Sequence, residues 1–298
     1  MTGVWYGVAA YSLWGLLTLY WRLFPHVPAI QVLGHRIVWS FVVLVAIIAA
    51  SWPRRRAALQ HITPRVVGLY ALAAVLIGVN WFLYVYSVNN GFIVESSLGY
   101  FITPLVNVLM GVVVFRERLR PMQWVAAAFA STGVVWLTVA YGTLPWIGLA
   151  LAASFGSYGL VKKKAPLPSL EGLTVETAVL VVPAALYLLA LSGNGGAAFL
   201  NAGPTTDLLL MAGGIVTVVP LLLFATAVRR VPLSVVGILQ YIAPTIQFLL
   251  GVFAFREPFT RTQLSGFGFV WLGLVVFTFD SMRPRQSPSF AVVDEGAR

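Results

Sequence analysis

The 298-residue chain contains no cysteine. That excludes a disulfide framework, a thiolate nucleophile and any cysteine-ligated metal site. Histidine is nearly as scarce: His26, His35 and His61 are scattered, and no H-E-x-x-H spacing sets two on one helix face. No glycine directly precedes a lysine, so a phosphate-cradling G-x-x-x-x-G-K-[ST] loop is absent and the chain itself is no P-loop ATPase. Charge is short as well. Asp, Glu, Lys and Arg make up 9% of residues, against roughly a quarter in an ordinary soluble domain. No acid, base or metal-ligand set converges at one depth, so an integral-membrane enzyme lacks a site. No metal and no cofactor is expected.

What the chain has instead is apolar length. It is 59% hydrophobic with a mean hydropathy of +0.89, more than a soluble fold could hide. A membrane span needs about 20 mostly apolar residues. Runs of that kind, broken at Pro, Gly and charge clusters, fall near residues 3–24, 28–51, 66–88, 92–115, 122–140, 144–161, 173–192, 206–228, 233–255 and 262–282. The first lacks a basic flank and an A-x-A site, which predicts a retained span and not a cleaved signal. Residues 283–298 are polar and rich in Pro and Ser, predicting a disordered tail.

The basic residues set an orientation. With the N-terminus in the cytoplasm, 15 of the 19 Lys and Arg fall in cytoplasmic loops and the tail. The outer side receives Arg22, Arg256 and Arg261, and Arg36 lies inside a span. By the positive-inside rule both termini are expected in the cytoplasm. The same asymmetry accounts for the net charge of +10 without nucleic acid.

The chain also repeats itself. ITPLVNVLMGVVVFRE (102–117) and IAPTIQFLLGVFAFRE (242–257) are identical at 8 of 16 positions. They occupy the fourth and ninth runs. Five is odd, so the second half enters the membrane inverted relative to the first. This predicts an all-α integral membrane protein of ten transmembrane helices, two inverted five-helix repeats around a central cavity, as in many secondary transporters. The halves are residues 1–142 and 143–282, with the cytoplasmic tail at 283–298. Pro104 and Pro244 each remove a backbone donor from an apolar helix and are the candidate hinges.

The stretches GHRIVWS, GVNWFLYVYSVNNG, ESSLGYFITPL, ASFGSYGL, TVVPLLLFATAVRRVPLS and LQYIAPT resemble the RarD-like permeases. These are a branch of the EamA-type family in the drug/metabolite transporter superfamily. The resemblance runs over roughly residues 3 to 282. It implies ten helices in two inverted halves, a central cavity, export as the direction and a bacterial inner-membrane location. It implies no particular substrate, beyond a loose link to chloramphenicol sensitivity.

Ionisable residues inside a span are costly and read as functional. Arg36 stands eight residues into the second span, roughly 12 Å down, where its planar fork suits a carboxylate or phosphate. Pairing with Glu95, or reaching outward, is the structural alternative. His35 and Glu95 are the candidates for relaying protons. Glu95, Glu176, Asp207 and Asp280 all read as lying near span ends, so no carboxylate is expected in the core. Facilitated diffusion or exchange then gains over obligate proton coupling.

Asn80 and Trp81 sit mid-helix. Tyr100 and Tyr241 flank the repeated I-x-P kink, and Gln240 falls in the register of Tyr100. With Tyr84 and Arg36 they form the expected substrate pocket: Arg36, Asn80, Trp81, Tyr84, Tyr100, Gln240 and Tyr241. Trp5, Trp21, Trp52, Trp124 and Trp146 read as interface anchors at span ends. The expected function is secondary active or facilitative transport of small organic metabolites, such as amino acids, by alternating access. A multidrug carrier of phenicols or organic cations is the rival within transport. A membrane receptor or assembly subunit without flux is the rival outside it. Expected partners are the solute and the bilayer, with no nucleic acid and no ATPase subunit, and the chain working as a monomer.

Overall fold

The computed structural model describes residues 2–21, 23–24, 26–53, 62–89, 93–142, 146–254 and 260–282. Within them the chain is helical. The elements are α1 (Thr2–Trp21), α2 (Ala29–Ala50), α3 (Pro64–Asn89), α4 (Ile93–Phe115), α5 (Pro121–Tyr141) and α6 (Trp146–Lys164), then α7 (Ser169–Gly193) and α8 (Pro204–Arg230). A ninth unit is divided into α9 (Leu233–Leu239), α10 (Ile242–Leu249) and a π-helical turn (Leu250–Ala254), and α11 (Arg261–Met282) follows. Prolines open α3, α5 and α8, where the missing N–H has no helical partner to lose. Gly142 closes α5 in the left-handed region at φ 73°.

Five of these helices are long and apolar enough to cross a membrane: Ala29–Ala50, Pro64–Tyr84, Pro121–Ala140, Ser169–Gly193 and Pro204–Arg230. Large apolar side chains point outward all round the bundle, including Trp5, Val139, Phe253 and Phe279. In water such a surface would aggregate; against lipid tails it is at home.

Lipid leaves no hydrophobic drive to press helices together, so close backbone approach and polar bonds must do it. Gly214 of α8 shows how close. A Cβ there would stand 2.5 Å from the Trp39 carbonyl carbon of α2. The Ser40 hydroxyl crosses the same contact to the Gly214 carbonyl at 3.3 Å.

Most of the extensive packing joins the first five helices to the rest. The helix α5 lies along α11, α2 along α7, and α4 along α9. The contact of α4 with α6 is matched by α1 with α9 and α10, that of α2 with α8 by α3 with α7, and that of α1 with α8 by α3 with α6. These pairings therefore recur when both partners are moved five helical units along the chain.

The two copies of the repeated segment differ in shape. The sequence predicts one span over 233–255, whereas the structure interrupts the α-helix at Gln240 and Tyr241. Pro244 has no N–H to offer the Gln240 carbonyl four residues back, and the Tyr241 N–H bonds the Ile238 carbonyl, three residues back, at 3.2 Å. In the first copy Pro104 lies inside an unbroken α4. The helix α4 crosses α9 at Gly237, where a Cβ would meet the Pro104 carbonyl oxygen at 2.6 Å.

Candidate functional site: an arginine in an aromatic cage

Arg36 is held from three sides. Its Nε donates to Thr217 Oγ1 of α8 at 3.2 Å. Its guanidinium carbon lies 4.6 Å from the ring centre of Trp21 and 4.8 Å from that of Trp81. Ring faces attract a cation, and more strongly where water is scarce. Tyr84, Tyr100 and Tyr20 lie within electrostatic reach of the same charge. The rings of Tyr84 and Tyr100 meet edge to face at 6.0 Å. Tyr84 keeps 38% of its surface accessible.

Chemically this is a fixed cation with an aromatic lining. Nε is spent on Thr217, which orients the fork; the terminal nitrogens are the pair that a planar carboxylate or phosphate engages with two parallel bonds.

Of the seven residues predicted for the pocket, the structure brings four together: Arg36, Trp81, Tyr84 and Tyr100. The other three are engaged between helices. Asn80 Nδ2 donates to the Leu151 carbonyl at 2.9 Å and to Ser154 Oγ at 3.0 Å, joining α3 to α6. Gln240 Oε1 accepts from Asn107 Nδ2 at 2.7 Å, and the Tyr241 hydroxyl donates to the Phe101 carbonyl at 3.1 Å. Asn107 thus meets Gln240 and not Gln247, its counterpart in the repeat. Trp21, expected as an interface anchor, forms one wall of the cage.

His35 is buried, its ring 5.0 Å from that of Phe199. The Gln31 amide nearby bonds Gly196 and Ala198 at 3.0 and 2.9 Å, tying α2 to the α7–α8 connection. The side chain of Glu95 lies outside the described residues.

One expectation is overturned. The core does hold a carboxylate. Glu176 of α7 and Lys162 of α6 are 2% and 3% exposed, with Nζ 2.8 Å from Oε2. The ring centres of Tyr70 and Tyr158 lie 5.5 and 5.8 Å from the ammonium. Hydropathy places Lys162 past the end of one span and Glu176 near the start of the next. But α6 runs on to Lys164 and α7 begins at Ser169, and the two ions neutralise each other inside the packing. A narrow crevice beside the pair is lined by Glu176, Thr177, Ser40, Trp81 and Thr217 among others, with room for about one water.

The repeated F-R-E also finds a role in its first copy. Arg116 adopts the left-handed φ of 53°, turning the chain back after α4. Glu117 then reaches the start of α9. Its carboxylate accepts from the Leu233 and Ser234 N–H groups at 2.8 and 3.0 Å and from the Ser234 hydroxyl at 2.7 Å. Lys163 Nζ adds an ion pair at 2.9 Å. Burial pushes this carboxyl up, but the bonds from Ser234, Leu233 and Lys163 outweigh it and hold it below the ordinary value. Gly111 is required here, because a Cβ would sit 2.5 Å from Glu117 Oε2. The second F-R-E, Phe255–Glu257, lies outside the described residues.

An apolar helical bundle of this length and composition defines a multi-pass membrane protein. The profile of the EamA-like transporter family matches twice, over residues 1–139 and 144–279. Protein RarD of Streptomyces exfoliatus is 48% identical over 284 residues, 95% of this chain and 90% of that one. The uncharacterized transporter YojE of Bacillus subtilis is 43% identical over 287 residues, 94% of this chain and 95% of its own. A solved crystal structure shares the fold at a TM-score of 0.69 and 19% identity, covering 95% of this chain and 99% of that one. The chain belongs to the EamA-like transporter family, as a RarD-like member.

Proposed function

We propose that this protein carries small organic solutes bearing a carboxylate, amino-acid-like metabolites among them, across the bacterial inner membrane by alternating access. The observation that carries the reading is the Arg36 cage: an oriented guanidinium held 4.6 and 4.8 Å from two indole rings. The fork takes the carboxylate and the tyrosines line the apolar remainder. A cationic drug is disfavoured there, because the ring faces of Trp21 and Trp81 already serve Arg36 and the charge repels a second cation.

The architecture proposed is ten spans in two inverted halves, with both termini cytoplasmic. The double family match and the recurrence of the most extensive helix pairings five units along support it. So does the contact of α4 with α9, which opens the ninth run. Alternating access is then rocking of one half against the other, with the break at Gln240–Tyr241 and Pro104 as the flexing points.

The test is thermal unfolding of the purified protein in detergent against amino acids, other carboxylates, quaternary amines and phenicols. A solute that binds only the folded state raises stability by mass action, about 2.7 kcal/mol at a hundred times its Kd. Carboxylates should stabilise the wild type and leave Arg36→Ala unmoved. Equal stabilisation of both proteins by cations or phenicols would remove Arg36 from the site.

A further inference from the structure

Five aromatic rings meet where the first five helices pack on the rest. Tyr11 and Trp14 of α1 lie against Phe155 and Tyr158 of α6 and Phe224 of α8. Ring centres stand 6.2 Å apart for Tyr11 and Phe224, 6.0 Å for Trp14 and Phe155, and 5.6 Å for Trp14 and Phe224. Tyr11, Tyr158 and Phe224 are each 1% exposed or less. Trp81, one wall of the arginine cage, packs against the same cluster. Cage and cluster are contiguous.

The Tyr11 hydroxyl is out of place there. It is buried, and no group among the described residues hydrogen-bonds it. The Tyr158 hydroxyl has Glu176 within electrostatic reach. Apart from Tyr158, the other buried members of the cluster are Ala, Ile, Val, Leu and Phe. A phenylalanine ring would fill the same space and strand no polar group. A phenol that gains nothing from its hydroxyl in this arrangement points to a partner met in another.

The repeat says where that partner would come from. Helix starts in the two sets are offset by a constant 140 residues: 29 and 169, 64 and 204, 93 and 233, 121 and 261. Moved by that offset, Trp21 and Tyr84 of the cage fall on Val161 and Phe224, both buried in the cluster. In the inverted architecture proposed above, the cluster thus stands on the cytoplasmic side where the cage stands on the outer one. Tyr11 agrees, being roughly 15 Å nearer the cytoplasm along α1 than Trp21.

We infer that Tyr11 is a solute ligand on the cytoplasmic half of the transport route. Its hydroxyl donates to the solute carboxylate once the ring cluster parts, and Trp14, Phe155 and Phe224 receive an apolar or aromatic body. The inference rests on the transport reading given above. The seam divides the cluster two rings against three. Rocking one set of helices on the other therefore separates these faces without breaking any hydrogen bond of the Tyr11 hydroxyl.

The chain has no cysteine, so Tyr11→Cys carries a single thiol and needs no background substitutions. In membrane vesicles of known orientation, the impermeant anion sulfonatoethyl methanethiosulfonate should modify that thiol from the cytoplasmic side. No modification from that side overturns the inference. Tyr11→Phe tests the hydroxyl itself. Without solute, its unfolding midpoint in detergent should equal or exceed that of the wild type, since no bond is lost; a lower midpoint gives the hydroxyl a structural partner and overturns the inference. In proteoliposomes, counterflow of labelled L-phenylalanine should fall roughly tenfold or more in Tyr11→Phe, what one hydrogen bond to a charged group amounts to. Wild-type flux in Tyr11→Phe overturns the inference as well. If the wild type neither binds nor moves L-phenylalanine or the other carboxylates, the Arg36 reading is what fails, and the thiol modification decides the Tyr11 route alone.

Discussion

Glu117 offers the sharpest stability experiment. Its carboxylate accepts three hydrogen bonds from the first turn of α9 and one ion pair from Lys163. Loss of a helix N-cap costs about 1 kcal/mol, and a hydrogen bond to a charged group contributes about 1.5–3 kcal/mol. These do not add, because the side chain is 13% exposed and water replaces part of what is lost. Glu117→Ala should therefore cost about 2–3 kcal/mol, and Glu117→Gln, which keeps one acceptor, about half of that. The effect carries a pH signature. The native carboxyl sits below its ordinary 4.5, so its stabilisation is complete above that value. It disappears as pH falls through the lower native value. Thermal unfolding followed by tryptophan fluorescence in detergent, at neutral pH and at about pH 3, separates the cases. The wild type should lose its advantage over Glu117→Gln in acid. Equal midpoints for wild type and Glu117→Ala, or a gap that acid leaves unchanged, would refute the latch.

Three further outcomes follow from the packing and the cage. Gly214→Ala should lower the unfolding midpoint by an amount equivalent to about 1–3 kcal/mol, since the new carbon meets α2 backbone; Gly268→Ala, with nothing within 4 Å, should be neutral or slightly stabilising. Asn107→Leu strands the Gln240 amide and should cost about 0.6–2 kcal/mol, most of it recovered in a double-mutant cycle with Gln240→Leu. Arg36→Lys keeps the charge but loses the planar fork and its ring contacts, so carboxylate affinity should fall about tenfold, roughly 1.4 kcal/mol; a Kd equal to wild type would show that charge alone binds.

The helices were legible because hydropathy reports desolvated length, and length is what a bilayer demands. Where they end was less so. Lys162 and Glu176 read as boundary markers, because a single-residue scale assigns each ion the full cost of burial. Paired at 2.8 Å, they lie inside helices that run past the apolar stretches where the two meet, to Lys164 and from Ser169. The cage was half legible for a related reason. Arg36, Trp81, Tyr84 and Tyr100 stand on apolar helices where polarity or ring size is conspicuous. Trp21 lies at a helix end and Thr217 is one hydroxyl among many, so only their contact with Arg36 distinguishes them. Asn80, Gln240 and Tyr241 gave the same signal as a pocket residue would, since a buried amide or phenol needs a partner whether that partner is a solute or a neighbouring helix.

The same rule bears on how the two sets of helices can move. Lipid provides no hydrophobic pressure at the seam between the first five helices and the rest, so directional polar contacts and close backbone packing hold it. Along α4 these are Glu117 on the start of α9, Asn107 on Gln240, and the Phe101 carbonyl under the Tyr241 hydroxyl. Interhelical bonds of this kind contribute about 0.6–2 kcal/mol each, enough together to favour one arrangement and few enough to exchange. They run from the start of α9 up to the break at Gln240–Tyr241. Opening the seam on the Glu117 side would release the latch before the Tyr241 contact, so loss of the Glu117 bonds should shift the resting equilibrium without dissolving the crossing. A spectroscopic distance between labels on the starts of α5 and α9 should therefore lengthen in Glu117→Ala, while one between the middles of α4 and α10 stays fixed.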